Sequence, residues 1–335
     1  MIYWGGRDSK SMEYSRAPRG LIVDLITPLK NGAIDGIGLK KLLARMLPHA
    51  QALLLAGPRH GEGEHMEMAM RDELLKKAID ATARRSVPLF VWISGNTEAQ
   101  TRQNILALQE SIGENRPEGG LFWVDTPLAY HSNRGLPDYY RELQTIATVP
   151  LVLHNDPDCV HATRNFKRHN IRTAVLKELV RIEGISGLIF SGSLERAHHY
   201  QRACRKRKDF RIYDGDENRF LEHPSMGGVV SVGANLAPGA WGRITQSSIQ
   251  LHAHRENYPD RLQQIWESGD YLKNMLTLYD QTPAAMIKII LSDMGVIGTP
   301  EMRMPVEIEH DNIKALKTLM HDFGDHFTVL RQYRS

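Results

Sequence analysis

Apolar and polar positions alternate in blocks along this chain. Short continuous apolar runs rich in Val, Ile and Leu recur at residues 20–26, 52–56, 87–93, 120–124, 149–154, 185–190, 210–213 and 228–232. Runs of this length without internal alternation predict strands covered on both faces, as in a parallel sheet. The segments between them switch to helical spacing. Leu39, Leu42, Leu43 and Met46 fall on one helical face within 36–47, and Leu74, Leu75, Ala78 and Ile79 on one face within 71–84. Thr97-Glu98 opens a third such segment, 97–108, with a capping signature. After Val232 the pattern is helical to the end, with helices predicted over 242–251, 259–278, 283–294 and 312–332; Pro300 and Pro305 mark the turn before the last of them.

Eight strand–helix units in series predict an α/β fold, a (β/α)8 TIM barrel with a C-terminal α-helical extension. The expected division is an N-terminal arm over 1–16, the barrel over 17–240 and a helical C-terminal domain over 241–335. No GxGxxG motif follows the first strand, which argues against a dinucleotide site.

Charge and cysteine content narrow the partners. A net charge of +3 on 335 residues is nearly neutral and predicts neither nucleic acid nor a membrane surface as partner. The basic run from Arg202 to Lys208 is read as a solvated helix end, where cations are favoured by the helix dipole. Two cysteines, Cys159 and Cys204, are too few for a disulfide scaffold or a zinc knuckle. No apolar run approaches the roughly 20 residues of a bilayer span. A cytoplasmic protein is the expectation.

Several motifs then fall in a familiar order. Leu25-Ile26-Thr27-Pro28-Leu29 with Gly32-Ala33-Ile34-Asp35, Thr126-Pro127 after the fourth strand, and His154-Asn155-Asp156-Pro157 at the fifth come first. Ser191-Gly192-Ser193-Leu194-Glu195-Arg196, Asp214-Gly215-Asp216, Gly227 to Asn235, Lys288 and Met302-Arg303-Met304-Pro305 follow. Together they resemble the dihydrodipicolinate synthase / N-acetylneuraminate lyase family over roughly residues 20–305. The resemblance implies a (β/α)8 barrel with C-terminal helices, assembled as a homodimer or homotetramer. It also implies class I aldolase-type chemistry, in which a lysine on the sixth strand forms an imine with a small 2-oxo acid.

That lysine is missing. The ungapped match puts Leu188 at its position, and a slip of one residue puts Ile189 there. Lys177 lies in a helical pattern ahead of the strand and Lys30 in the first loop. His154 replaces the family's strand-five tyrosine, and the threonine pair after strand two is rewritten within Gly57 to Glu64. The second tyrosine maps near Ala129 or Tyr130, and the arginine after Tyr-Asn-x-Pro maps to Cys159.

The residues expected to carry chemistry are therefore His154, Tyr130 and His60. His154 is read either as a proton-transfer group near neutral pH or as a histidine satisfied by its neighbours. Arg59 can hold a carboxylate bidentately; Gly57, Ser191, Asp216 and Val230 are the other expected ligand contacts. Either Glu62 or Glu64 is expected to be a structural acid. No cofactor is expected, although Asp125 and His154, with His60, are weak metal-ligand candidates. The expected ligand is a small carboxylate. Two classes of function stay open: a lyase that works without the lysine imine, metal-dependent or not, and a non-catalytic barrel acting as a ligand-binding or partner subunit.

Overall fold

The computed structural model describes residues 16–83, 85–163, 169–224, 226–249 and 258–332. All but the last residue of the predicted N-terminal arm lie outside them. Among the described residues ten strands form: β1 (Gly20–Asp24), β2 (Leu29–Lys30), β3 (Ala33–Ile34), β4 (Ala52–Leu55), β5 (Leu89–Trp92), β6 (Leu121–Asp125), β7 (Leu151–Asn155), β8 (Ile185–Phe190), β9 (Arg211–Asp214) and β10 (Gly228–Ser231). Strands β2 and β3 make a small antiparallel ribbon. The other eight are the predicted eight; they pair in parallel and close into a barrel in the order β1-β10-β9-β8-β7-β6-β5-β4. The closing seam needs glycine. Gly20 pairs with Gly228 in the β1–β10 register, and a Cβ on Gly228 would sit 1.9 Å from the Gly20 carbonyl oxygen.

Helices α1 (Gly36–Met46), α2 (Met68–Thr82), α3 (Glu98–Ile112), α4 (Leu136–Gln144), α5 (Pro157–Thr163), α6 (Thr173–Leu179), α7 (Leu194–Cys204), α8 (Glu217–Glu222) and α9 (Pro238–Ile249) lie between or after the strands. Side chains start several of them. Asp35 accepts from the Gly38 N–H at 2.9 Å, Thr97 from Gln100 at 3.1 Å and Ser193 from Arg196 at 3.3 Å. Helix α9 packs on β1 and β10 as part of the outer ring, so a boundary at 240 falls inside it. Helices α10 (Tyr258–Tyr279), α11 (Pro283–Asp293) and α12 (His310–Gln332) form the C-terminal extension.

Alternation along the strands separates two apolar layers. Ile22, Leu54, Phe90, Trp92, Phe122, Val124, Val152, Ile189, Tyr213 and Val230 fill the barrel interior. Their strand neighbours Leu21, Val23, Leu53, Leu55, Val91, Trp123, Leu153 and Leu188 face the helices. This parity decides which side chains reach the mouth of the barrel.

The extension is pinned to the barrel by a buried charge pair. Lys288 on α11 donates to Glu62, in the loop after β4, and to the Glu301 carbonyl at 2.8 Å. The second Glu62 oxygen accepts from the Arg303 N–H at 2.6 Å. Glu62, with φ of 58°, is thus the structural acid of the Glu62/Glu64 alternative. No helix among the described residues is long and apolar enough to cross a membrane.

Candidate active site

A cavity of about 880 Å³ opens at the C-terminal ends of the barrel strands, the end where barrel loops gather chemistry. The barrel gives it Asp24, Arg59, His60, His154, Asp156, Ile189, Ser191, Asp216, Glu217 and Val230. The extension gives it Leu276 and Tyr279 to Ala285, and the coil before α12 adds Met302 and Val306. Sequence patterning assigned the extension only a packing role.

Each polar side chain has an identifiable cause for its position. Asp24 ends β1 on the inward parity of Ile22. Its Oδ2 lies 2.8 Å from His60 Nδ1, and its Oδ1 packs on Gly57, where a Cβ would come within 2.3 Å. Gly57 therefore serves the site by giving Asp24 room. Arg59 donates to Asp156 Oδ2 at 2.8 Å and lies 3.8 Å from Asp158. Burial alone would raise the Asp156 carboxyl. His154, Arg59 and the Asp158 N–H outweigh that and hold it below its ordinary value.

His154 follows Val152 on the inward parity of β7 and is buried at the cavity floor. Its Nδ1 lies 2.8 Å from Thr126 Oγ1, which also accepts from the Trp92 indole N–H at 2.9 Å. Burial lowers the imidazole's affinity for a proton, more than the nearby Asp156 and Asp24 raise it. Glu217 accepts from Ser231, from the Gly233 N–H at 2.8 Å and from the Tyr279 hydroxyl at 2.9 Å. Burial pushes its carboxyl up. Asp216 caps α8 by accepting from the Arg219 N–H at 3.0 Å. Arg219 in turn holds Asp214 and the Phe190 and Gly192 carbonyls, which fixes the loop carrying Ser191.

Three expectations need correction. Leu188 lies on the outer parity of β8 among the residues that face the helices, so a lysine there would not reach the cavity. The inward position is Ile189, which pairs with His154 in the β7–β8 register and lines the cavity. Asp125 also has outer parity, beside Trp123. Its carboxylate accepts from Ser94 at 2.6 Å, Tyr130 at 2.6 Å and Tyr140 at 2.7 Å. It is an anchor with its acceptor sites filled, and it does not join His154 and His60 as a metal set. Among the described residues no group of three His, Cys, Asp or Glu side chains could hold a metal ion. Tyr130, bound to that anchor and buried, does not line the cavity.

The other expected residues lie around this cavity or away from it. Arg59, His60, His154, Ser191, Asp216 and Val230 all line the cavity, and Gly57 supports it from behind Asp24. Lys30 and Lys177 are exposed and do not line it. The basic run lies at the end of α7, where Arg207 donates to the carbonyls of Val180, Ile182 and Glu183 and so caps the end of α6. Cys159 and Cys204 are buried and not joined in a disulfide, and the Cys159 thiol donates to Asp156 Oδ2 at 3.4 Å. Asp24, Glu217, Tyr279, Thr126 and Trp92 were not anticipated. Asp24 could have been read from the strand alternation in Gly20–Asp24, since it is the residue two after Ile22 on the inward face.

Relatives share this architecture. The model of the dihydrodipicolinate synthetase family matches residues 17–322. The 4-hydroxy-tetrahydrodipicolinate synthase of Persephonella marina is 26% identical over 316 residues, and that of Bdellovibrio bacteriovorus 22% over 316. Each alignment covers 91% of this chain and 98% of the relative. Among solved structures, the dihydrodipicolinate synthase of Thermotoga maritima superposes with a TM-score of 0.75 at 19% identity, over 92% of this chain and 99% of that one. The 4-hydroxy-tetrahydrodipicolinate synthase of Methylacidiphilum fumariolicum gives 0.75 at 21%, over 94% and 99%. A family match over nearly the whole barrel and most of its extension makes the chain a member of the dihydrodipicolinate synthetase family.

Proposed function

We propose that this chain is an aldolase-type lyase for a small 2-oxo acid bearing hydroxyl groups, and that it works without a lysine imine. One observation carries the reading. Ile189 occupies the inward position on β8 while two histidines and an arginine converge on the same cavity. An alkyl side chain cannot form an imine, so any enolate must be met by hydrogen-bond donors already in place.

His60 has the arrangement of a base. A carboxylate only accepts, so the ring nitrogen facing Asp24 carries the proton and Nε2 keeps its lone pair. In the cleavage direction Nε2 of His60 takes the proton of the substrate's 4-hydroxyl. The C3–C4 bond breaks, the aldehyde leaves, and the bonding electrons pass into the enolate of the 2-oxo acid. The proton then returns from His60 to C3. Among the described residues Arg59 is the one guanidinium lining the cavity, and it offers its unused N–H groups to the substrate carboxylate. Asp156, Asp158 and Asp216 offer acceptors for substrate hydroxyls.

Release of pyruvate from a panel of 4-hydroxy-2-oxo acids, followed with a coupled dehydrogenase, tests the reading together with borohydride trapping. Turnover that disappears in His60→Gln, with no trapped adduct in the wild type, is expected. A borohydride-stable adduct of the wild type would overturn the imine-free mechanism. Ligand-induced rise in melting temperature without turnover of any member would favour the binding-protein reading, to which the absent lysine also points.

A further inference from the structure

The two cavity histidines are held by chemically opposite partners. We infer that Thr126 and Trp92 are positioning residues that fix His154 as the tautomer bearing its proton on Nε2, so that His154 serves as a neutral hydrogen-bond donor and not as a second base. The inference rests on the imine-free lyase reading for its role in the reaction, but not for the tautomer itself.

Hydrogen-bond accounting carries it. The Trp92 indole can only donate, so Thr126 Oγ1 accepts from it at 2.9 Å. Thr126 is buried, and among the described residues its hydroxyl has one other hydrogen-bond neighbour, His154 Nδ1 at 2.8 Å. If Nδ1 carried a proton, the threonine oxygen would face two donors and its own proton would be buried without an acceptor, at a cost of about 1–3 kcal/mol. The satisfied arrangement runs Trp92 N–H to Thr126 oxygen, then Thr126 O–H to the Nδ1 lone pair. The proton of a neutral ring then lies on Nε2, the nitrogen left for the cavity.

Thr126 is itself held in place. Its backbone N–H donates to Ser94 Oγ at 2.7 Å, and Ser94 donates to the Asp125 carboxylate at 2.6 Å. Tyr130 and Tyr140 complete that anchor from behind. The residues around Asp125 thus aim one threonine hydroxyl at one ring nitrogen. His60 is held by the opposite kind of partner, its Nδ1 facing the Asp24 carboxylate at 2.8 Å. One histidine keeps its cavity-facing lone pair and the other presents an N–H, which is the pair of functions that an enolate-forming cleavage needs.

Burial is the largest influence on His154 and opposes its protonation. Of the ionisable groups acting on it, Asp156 and Asp24 favour protonation, and Arg59 and His60 oppose it. A neutral donor can therefore serve across the working pH range.

Imidazole 15N NMR of the full chain tests this, with the His154 signals assigned by difference from His154→Gln. Expected are an unprotonated, hydrogen-bonded Nδ1 and a protonated Nε2, unchanged as the pH is lowered through 6.5. Thr126→Val should shift the Nδ1 signal, and Thr126→Ser should restore it. A protonated Nδ1, a His154 that titrates near 6.5, or an Nδ1 signal indifferent to Thr126→Val would overturn the inference. In turnover, His154→Phe should lower kcat/KM by about 10²–10³-fold, the worth of one oxyanion donor, and His154→Gln, which keeps an N–H, should recover most of it. Equal losses in the two would also overturn the donor role. If the NMR result is as expected and no substrate turns over, the lyase reading fails and the tautomer assignment stands.

Discussion

Placing a lysine at each of two adjacent positions on β8 separates barrel parity from sequence alignment. Leu188 is fully buried between the sheet and its helices, and Ile189 is 1% exposed at the cavity wall. Either change removes a large aliphatic side chain, worth about 1.5–3 kcal/mol of burial. The fates of the amine differ. In Leu188→Lys it enters a layer made of Leu153, Leu179, Phe190 and similar residues, where an unpaired ammonium adds several kcal/mol. The sum, about 5 kcal/mol or more, approaches the whole stability of a typical domain, about 5–15 kcal/mol. In Ile189→Lys the amine emerges in a cavity that also holds Asp24, Asp156 and Glu217, so the loss stays near the burial figure of about 1.5–3 kcal/mol. Chemical unfolding should therefore rank wild type above Ile189→Lys and Ile189→Lys far above Leu188→Lys. Incubation with pyruvate and borohydride should label Ile189→Lys alone, as read by intact mass. Equal destabilisation of the two variants, or an adduct on Leu188→Lys, would refute the parity assignment and with it the placement of the lost lysine.

Four further outcomes follow from named contacts. Lys288→Met strands the buried Glu62 carboxylate and should cost about 3–5 kcal/mol in urea unfolding, with Glu62→Gln/Lys288→Met together recovering part of it. Gly57→Ala puts a Cβ within 2.3 Å of Asp24 Oδ1; Asp24 must swing away from His60, and kcat/KM should fall to the level of Asp24→Asn while the melting temperature changes little. Asp156 has a folded-state carboxyl below its ordinary 3.8, so its contribution to stability is complete above that value and is lost as the pH falls through the lower, folded one. Removing one of the groups that hold it down, in Arg59→Met, should bring that loss in at higher pH, seen as unfolding midpoints that separate from wild type above pH 4 and converge below it. Asp125→Asn leaves three buried hydroxyl donors facing an amide; it should lower the melting temperature whether or not chelator is present, whereas a chelator-dependent effect would restore the metal reading.

The barrel was legible because its strands are continuous apolar runs separated by amphipathic helices, and that signal is local. Parity was half legible. The motif order put the position expected for the family's lysine at Leu188 or, with a slip of one residue, at Ile189, since alignment counts residues and carries no record of which way each one faces. The run Ile185–Phe190 is buried at every position and is apolar but for Ser186, so its pattern does not say which alternate residues point inward. The polar strand ends could have said so. In Gly20–Asp24 and in Leu151–Asn155, Asp24 and His154 follow Ile22 and Val152 at a spacing of two, and once β7 is set beside β8 the same count selects Ile189. Asp125 was misplaced for the complementary reason. A carboxylate at the end of a strand looks like a site residue, and only the tyrosines five and fifteen positions later, arriving from a turn and a helix, reveal that its oxygens are already taken. Glu217 and Tyr279 were beyond reach of any local pattern, because they meet only when the extension folds back over the mouth of the barrel, 62 residues apart in the chain. The cavity at the mouth of the barrel is thus assembled from strand ends, loops and the extension. The groups that can act there are a histidine paired with an acid 36 residues before it and a second histidine aimed by a threonine 28 residues before it. Both partnerships join the ends of directly paired strands, β1 with β4 and β6 with β7, so neither could be seen before those strands were paired.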